Sequence, residues 1–509
     1  MRAERYVVKG RILTMTGPKD AADWMLVERG VVAGTGRAEP PPETAELPAL
    51  SFPTGALLPA LHDAHVHLLS TGLMQTTPDL SVAECMAELF ALLSDAVASF
   101  EGDLLRAHSF DPDLLPDGRY PTSSELDAIS RETPIFVKRR DGHSSVVNAA
   151  AMELLDVSLD DPGVEKADGR PTGVLRARAH TRAATRAGEL LTDAERVEAF
   201  HAAARVAASR GVGVVHSLVG AADPGDRDGD IDLLVETAHE LPIDVVVYPQ
   251  TLNVEHVVGL GLPRIGGCIL LDGSFSSGTA ALDEPYADSG GRGELYFTDD
   301  ELTGFMRRAH ERGLQIAVHA LGERAISQAL RSYRAATGRE AGDSRHRIEH
   351  CELTKAAHIA DMREMGVSAC VQPTFEYLWG GEGGMYEKRL GQERARRSNP
   401  FRTMLDGGLR LAGGSDSYVT PLDSRLGIHA AVNRPNVSER LPVFEAISLF
   451  TRDAAWFSFD EGRRGTLEPG KEADFVVLGE DPFEADASRL KDIEVVDLYM
   501  RGERVEAEV

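Results

Sequence analysis

Apolar and polar positions change rhythm twice along the chain. The first fifty residues alternate in short runs, YVVKGRILTM and WMLVERGVVAGTG, that break at Gly or Pro, and the last forty repeat the style in GTLEPGKEADFVVL and EVVDLYMRGERV. Such period-two runs predict strands at both ends. Between them, continuous apolar runs (ALLPALHDAHVHL, PIFVKRR, GVGVVHSL, DVVVYPQ, GGCILLDGS, LQIAVHAL, HRIEHC, VSACVQP, LRLAGGSD) alternate with stretches of helical periodicity. Among the latter are DAERVEAFHAAARVAASR, DDELTGFMRRAHERG, ERAISQALRSYRAATG and TKAAHIADMREMG. They carry apolar residues at i, i+3 or i+4 with charges opposite. Strand and helix in series predict an α/β protein with a parallel sheet, and so many units favour a closed (β/α)8 barrel.

Three segments follow from this reading. Residues 1–56 and 456–509 form the two halves of a small β-sandwich, and residues 57–455 form the barrel. The stretch from about 75 to 200 is too long for ordinary connections and reads as an inserted subdomain.

Composition narrows the function. The 509 residues carry a formal net charge of −27, which disfavours nucleic acid and anionic membrane surfaces as partners. No apolar run approaches the roughly 18 residues that span a bilayer, and the start of the chain lacks a signal-peptide pattern. Four cysteines without a C-x-x-C pair make no disulfide scaffold, so a reduced, cytoplasmic protein is expected. The eight lysines are few beside 46 arginines, and none lies between Lys166 and Lys355.

Polar residues at strand C-termini are the candidates for chemistry in such a barrel. His65 and His67 are two apart on one strand and share a face; His62 has the other parity and reads as structural. His319, His350 and Asp416 each end a later β-run. Four imidazoles and a carboxylate suit a hydrolytic site for a divalent metal, which acidifies bound water, while the carboxylate serves as proton acceptor.

His65-x-His67, VHALGERA, RIEHCEL and GGSD together resemble the amidohydrolase superfamily. GTLEPGKEADFVVL resembles its C-terminal β-sandwich. RRDGHSSVVNAAAM and LDGSFSSGTAALDEPYAD resemble the branch with a large insert after the first barrel strand, which includes N-substituted formamide deformylases. The resemblance implies that His65, His67, His319 and His350 bind metal, and that Asp416 is both ligand and general base. One or two ions, Zn²⁺ first among the candidates, and a homodimer are implied as well.

The chain departs from that pattern at one position. Members with two metals usually bridge them with a carboxylated lysine in V-K-x-x-x-D-G-S, whereas this chain reads GCILLDGS, with Cys268 in its place. No nearby lysine can substitute. Cys268 can act as a thiolate ligand, the reading preferred here, face the site without binding, or fill apolar space. Lys138 is a remote carbamate candidate. His143, in RRDGHSS, is expected to polarise a carbonyl or hold substrate, and His216 is a weaker candidate for the same work. Phe375, Tyr377 and Trp379 can wall a pocket, and Asp272 can position other groups. Cys351 is expected to pack in the core.

The expected function is therefore hydrolysis of a non-peptide amide-type C–N bond in a small N-acyl or N-formyl molecule. Deamination, carbamate or lactone hydrolysis, and an inactive binding barrel are the alternatives, since a fold hosts many chemistries.

Overall fold

The computed structural model describes residues 4–140, 144–220, 227–338 and 343–506. Two compact units emerge, one of residues 1–68, 204–219 and 234–509, the other of residues 69–203 and 220–233.

Among the described residues of the first unit, eight parallel strands occur in chain order. They are β1 (Leu61–Val66), β2 (Val212–Val219), β3 (Asp244–Pro249), β4 (Arg264–Leu270), β5 (Gln315–Ala320), β6 (Arg347–His350), β7 (Ser368–Val371) and β8 (Leu411–Gly413). The first three pair as β3-β2-β1, and the other five pair in sequence order. A parallel bridge between Val66 and Ser417, just past β8, links the ends of the two series. Every residue of β1, β2, β5 and β6 is buried, which accounts for the continuous apolar runs: both faces of these strands are covered. Amphipathic helices intervene, among them Asp299–Glu311 before β5 and Glu323–Thr337 before β6. The first opens with a capping box of Thr298 and Glu301, which satisfies two otherwise orphaned amide donors.

Both chain ends join one seven-stranded sheet. Strand Phe475–Leu478 pairs antiparallel with Ala49–Pro59, aligning Phe475 with Pro59 and Leu478 with Ala56. Phe475 stacks on Tyr499 in its core, with ring centroids 4.4 Å apart.

The second unit holds its own five-stranded mixed sheet. Alternate residues of its strands feed separate cores: Ala107, Ile135, Val137, Val146 and Val174 on one face, Phe136, Val147 and Leu175 on the other. PIFVKRR is a strand of this sheet and not one of the eight above. The unit reaches beyond the expected insert of 75–200 at both limits and gathers residues 220–233 as well. Among the described residues, no helix is long and apolar enough to cross a membrane.

Candidate metal centre

The C-terminal ends of five of these strands deliver six side chains to one place. His65, His67 and Cys268 have ligand atoms within 4.8 Å of one another, as do Cys268, His319 and His350, and again His65, His350 and Asp416. Cys268 belongs to the first two groups and His65 to the first and third. All six residues are buried.

Local backbone conformation explains how each arrives. His65 and His67 lie two residues apart at the end of β1, so strand alternation directs both to one side. On β6, Arg347 and Glu349 share one parity and His350 has the other. His350 has a left-handed φ of 72°, and its ring centroid lies 4.5 Å from that of His319 and 5.0 Å from that of His65. Asp416 also sits left-handed, at φ 56°. Such conformations cost on the order of 1–3 kcal/mol each and persist where surrounding structure over-determines them. Cys268 depends on its preceding glycines. Gly266 and Gly267 have φ of 98° and 100°, and five residues of β4, Gly266 to Leu270, span the same stretch as the three from Ala317 to His319 on β5. The Gly-Gly pair thus makes a bulge, and a bulge re-aims the side chains that follow it.

Hydrogen bonds then orient the rings. His65 Nδ1 lies 2.8 Å from Glu349 Oε2, and His350 Nδ1 lies 2.7 Å from Gln372 Oε1. An acceptor at Nδ1 fixes a proton there and turns Nε2 toward the centre. Both Nε2 atoms are buried and make no aligned hydrogen bond, and the same holds for Asp416 Oδ1. That oxygen lies 3.2 Å from His65 Nε2 and 3.1 Å from His67 Nε2. His319 is arranged the other way: its Nδ1 is 3.4 Å from Cys268 Sγ, and its Nε2 faces the Gly273 carbonyl at 3.4 Å.

The electrostatics favour anionic Asp416 and Cys268. Burial raises both acidities' pKa values, but neighbouring imidazoles outweigh it: His65 and His67 hold the carboxyl well below its usual range, and His319 holds the thiol well below that of a free cysteine. In turn, despite burial, the Cys268 thiolate pushes His319 up to about 9.

Several residues the sequence singled out lie elsewhere or act differently. His143 lies outside the described residues. His216 packs against Arg347 and Tyr248, with its Nδ1 3.2 Å from the Arg347 guanidinium. Lys138 belongs to the second unit. Asp272 accepts backbone N–H bonds from Ala281, Leu321 and Gly322, so it ties together the loops after β4 and β5. Cys351 is buried, and desolvation raises its thiol pKa. Phe375 lies parallel to His350 with centroids 6.0 Å apart and touches Trp379, whereas Tyr377 meets His429 edge-on.

Sequence reasoning passed over Arg347, Glu349, Gln372 and Asp63. Asp63 accepts N–H bonds from His65 and from Ser415, which joins the ends of β1 and β8. A signal for the first pair exists: charges at alternate positions of a fully buried strand require partners.

A profile of the amidohydrolase family matches residues 55–506. The chain belongs to the amidohydrolase family. It is accordingly a hydrolase acting on carbon–nitrogen bonds. Bacillus subtilis YtcJ, named as an amidohydrolase, is 28% identical over 540 residues, covering 97% of this chain and 98% of that protein. The N-substituted formamide deformylase of Arthrobacter pascens is 23% identical over 551 residues and 97% of each chain. An uncharacterized metal-dependent hydrolase from Pyrococcus furiosus superposes with a TM-score of 0.80 at 27% identity, over 94% of this chain and 100% of that one.

Proposed function

We propose that this amidohydrolase is metal-dependent and cleaves an amide-type C–N bond in a small N-acyl or N-formyl compound. His65, His67, Cys268, His319, His350 and Asp416 would hold one or two divalent ions, zinc being the first candidate. The observation that carries the reading is the convergence of buried donor atoms on one another: His65 Nε2, His350 Nε2 and Asp416 Oδ1 make no aligned hydrogen bond and crowd together at the strand ends. Buried polar atoms are ordinarily satisfied, and a nitrogen, sulfur and oxygen donor set at these spacings suits zinc. The thiolate of Cys268, common to two donor groups, would serve as a ligand where other members of the family carry the carboxylated lysine.

Bound there, a divalent ion polarises a carbonyl and lowers the pKa of water. The chain's own residues handle the proton. Asp416, whose carboxylate lies beside the His65 and His67 rings, accepts it from the attacking water. The same group returns the proton to the departing nitrogen as the C–N bond breaks, leaving a carboxylic acid and an amine. The name of the Arthrobacter relative supports N-formyl amines as the first substrates to try. The strand order and the Val66–Ser417 bridge support reading the two parallel sheets as arcs of one (β/α)8 barrel.

Elemental analysis of purified protein, followed by a screen of N-formyl and N-acyl amines, tests the proposal. We expect one or two equivalents of metal, turnover of some members of the panel, and loss of turnover on chelation with recovery on readdition. Full activity in verified metal-free protein overturns it.

A further inference from the structure

The six donors are not anchored alike. His65 donates from Nδ1 to the Glu349 carboxylate, whose other oxygen accepts from Arg347 Nε at 2.5 Å, and both partners are fully buried. Arg347 is itself immobilised. It donates to the Ala64 carbonyl at 3.1 Å, immediately before His65, faces His216 on another side, and lies 4.0 Å above the Tyr248 ring. His350, by contrast, has the neutral amide oxygen of Gln372, and Nε2 of His319 faces a backbone carbonyl at 3.4 Å, with the Asp272 carboxylate at 3.6 Å, beyond hydrogen-bond reach and committed to three backbone N–H groups.

Hydrogen bonds to an ionised acceptor are roughly twice as strong as neutral ones. A carboxylate behind an imidazole also makes the ring a more basic ligand. From this asymmetry we infer that Arg347 and Glu349 are positioning residues that make the ion position at His65 and His67 the slower-releasing of the two. Gln372 leaves the position at His319 and His350 the more labile. The inference rests on the proposed metal site and adds an order of release to it. Arg347 spans from β6 to the backbone of β1, so it sets ring and strand together.

Release of zinc from the reconstituted full-length protein into an excess of chromophoric chelator tests this. We expect two phases in the unaltered protein. Glu349→Gln should accelerate the slow phase by about 10- to 100-fold and leave the fast phase in place. Because that change strands a buried guanidinium, the double variant Arg347→Met with Glu349→Gln should also be measured; it removes both charges and should show the same selective acceleration. Gln372→Glu should slow the fast phase. A general loosening of the fold would speed both phases together, and that outcome, or unchanged phases in the first two variants, overturns the inference alone. If a single ion is retained, it should show the slow phase and the same response. Unaltered protein that takes up no zinc overturns the proposed function, and this inference with it.

Discussion

His65 and Asp416 are joined twice: the Asp416 backbone N–H donates to the His65 carbonyl at 2.9 Å, and the Asp416 carboxylate lies 3.2 Å from the His65 ring. With His67 N–H donating to the Ser417 carbonyl at 2.7 Å, these bonds register the end of β1 against the segment after β8. The proposed base and a proposed ligand are therefore placed by one stretch of backbone pairing, despite lying 351 positions apart in the chain.

Replacing Asp416 separates its two proposed roles. Asp416→Asn preserves size and leaves the four histidine donors and the thiolate in place but removes the proton acceptor. We expect kcat to fall by about 10²- to 10⁴-fold, with metal content largely retained by elemental analysis. A kcat near that of the unaltered enzyme contradicts the assignment.

Cys268 is shared by two donor groups, so its loss should be felt in both. Cys268→Ala should reduce bound zinc, and the remaining ion should leave more readily. Comparing metal content and chelator competition with the unaltered protein measures this. Equal stoichiometry and equal retention would assign the thiol to packing.

Gly414 lies directly beneath His65. A Cβ there would stand 2.5 Å from His65 Cβ and 2.7 Å from its backbone nitrogen, and backbone cannot yield as a flexible side chain can. Gly414→Ala should cost about 1–3 kcal/mol of stability, as overpacking does, and displace His65. Denaturant titration and metal content should both register it, whereas an unchanged melting curve would show that the strand end gives way freely.

Stability should fall in acid because of histidines kept neutral. His346 accepts the Ile316 N–H at Nδ1, 3.0 Å away, and burial, with His310 close by, lowers its pKa to about 3. Burial lowers His62 to about 3 as well. Below about pH 6.5 the unfolded chain binds protons at these residues that the native state refuses, so stability is intact above that pH and is lost as pH falls toward 3. His346→Gln cannot titrate, and its melting temperature should decline less between pH 6.5 and 4.5, measured as a difference from the unaltered protein. Parallel declines would place the acid sensitivity elsewhere.

Much of this protein was legible before folding was considered. Strand ends carrying His65, His67, His319, His350 and Asp416 stand out because a buried apolar run that stops at an imidazole or carboxylate marks where a strand reaches solvent or a site. The departure at Cys268 was equally plain, since a residue's identity needs no coordinates. Glu349 was hidden for the opposite reason. It neighbours His350 in sequence with the other strand parity, and its place behind the His65 ring, with Oε2 2.8 Å from Nδ1, is visible only in the folded chain.

Residue type, spacing and periodicity thus pointed to the class of fold and to the candidate donors, because strand alternation and helix period are local properties of the chain. Tertiary structure alone decided which donors share Cys268, which rings are held by a carboxylate and which by an amide, and how the bulge at Gly266 and Gly267 aims the thiol. Those are matters of a few ångströms between segments hundreds of residues apart. They are set by the packing and backbone pairing of strands β1, β4, β5, β6 and the end of β8, which no single segment encodes.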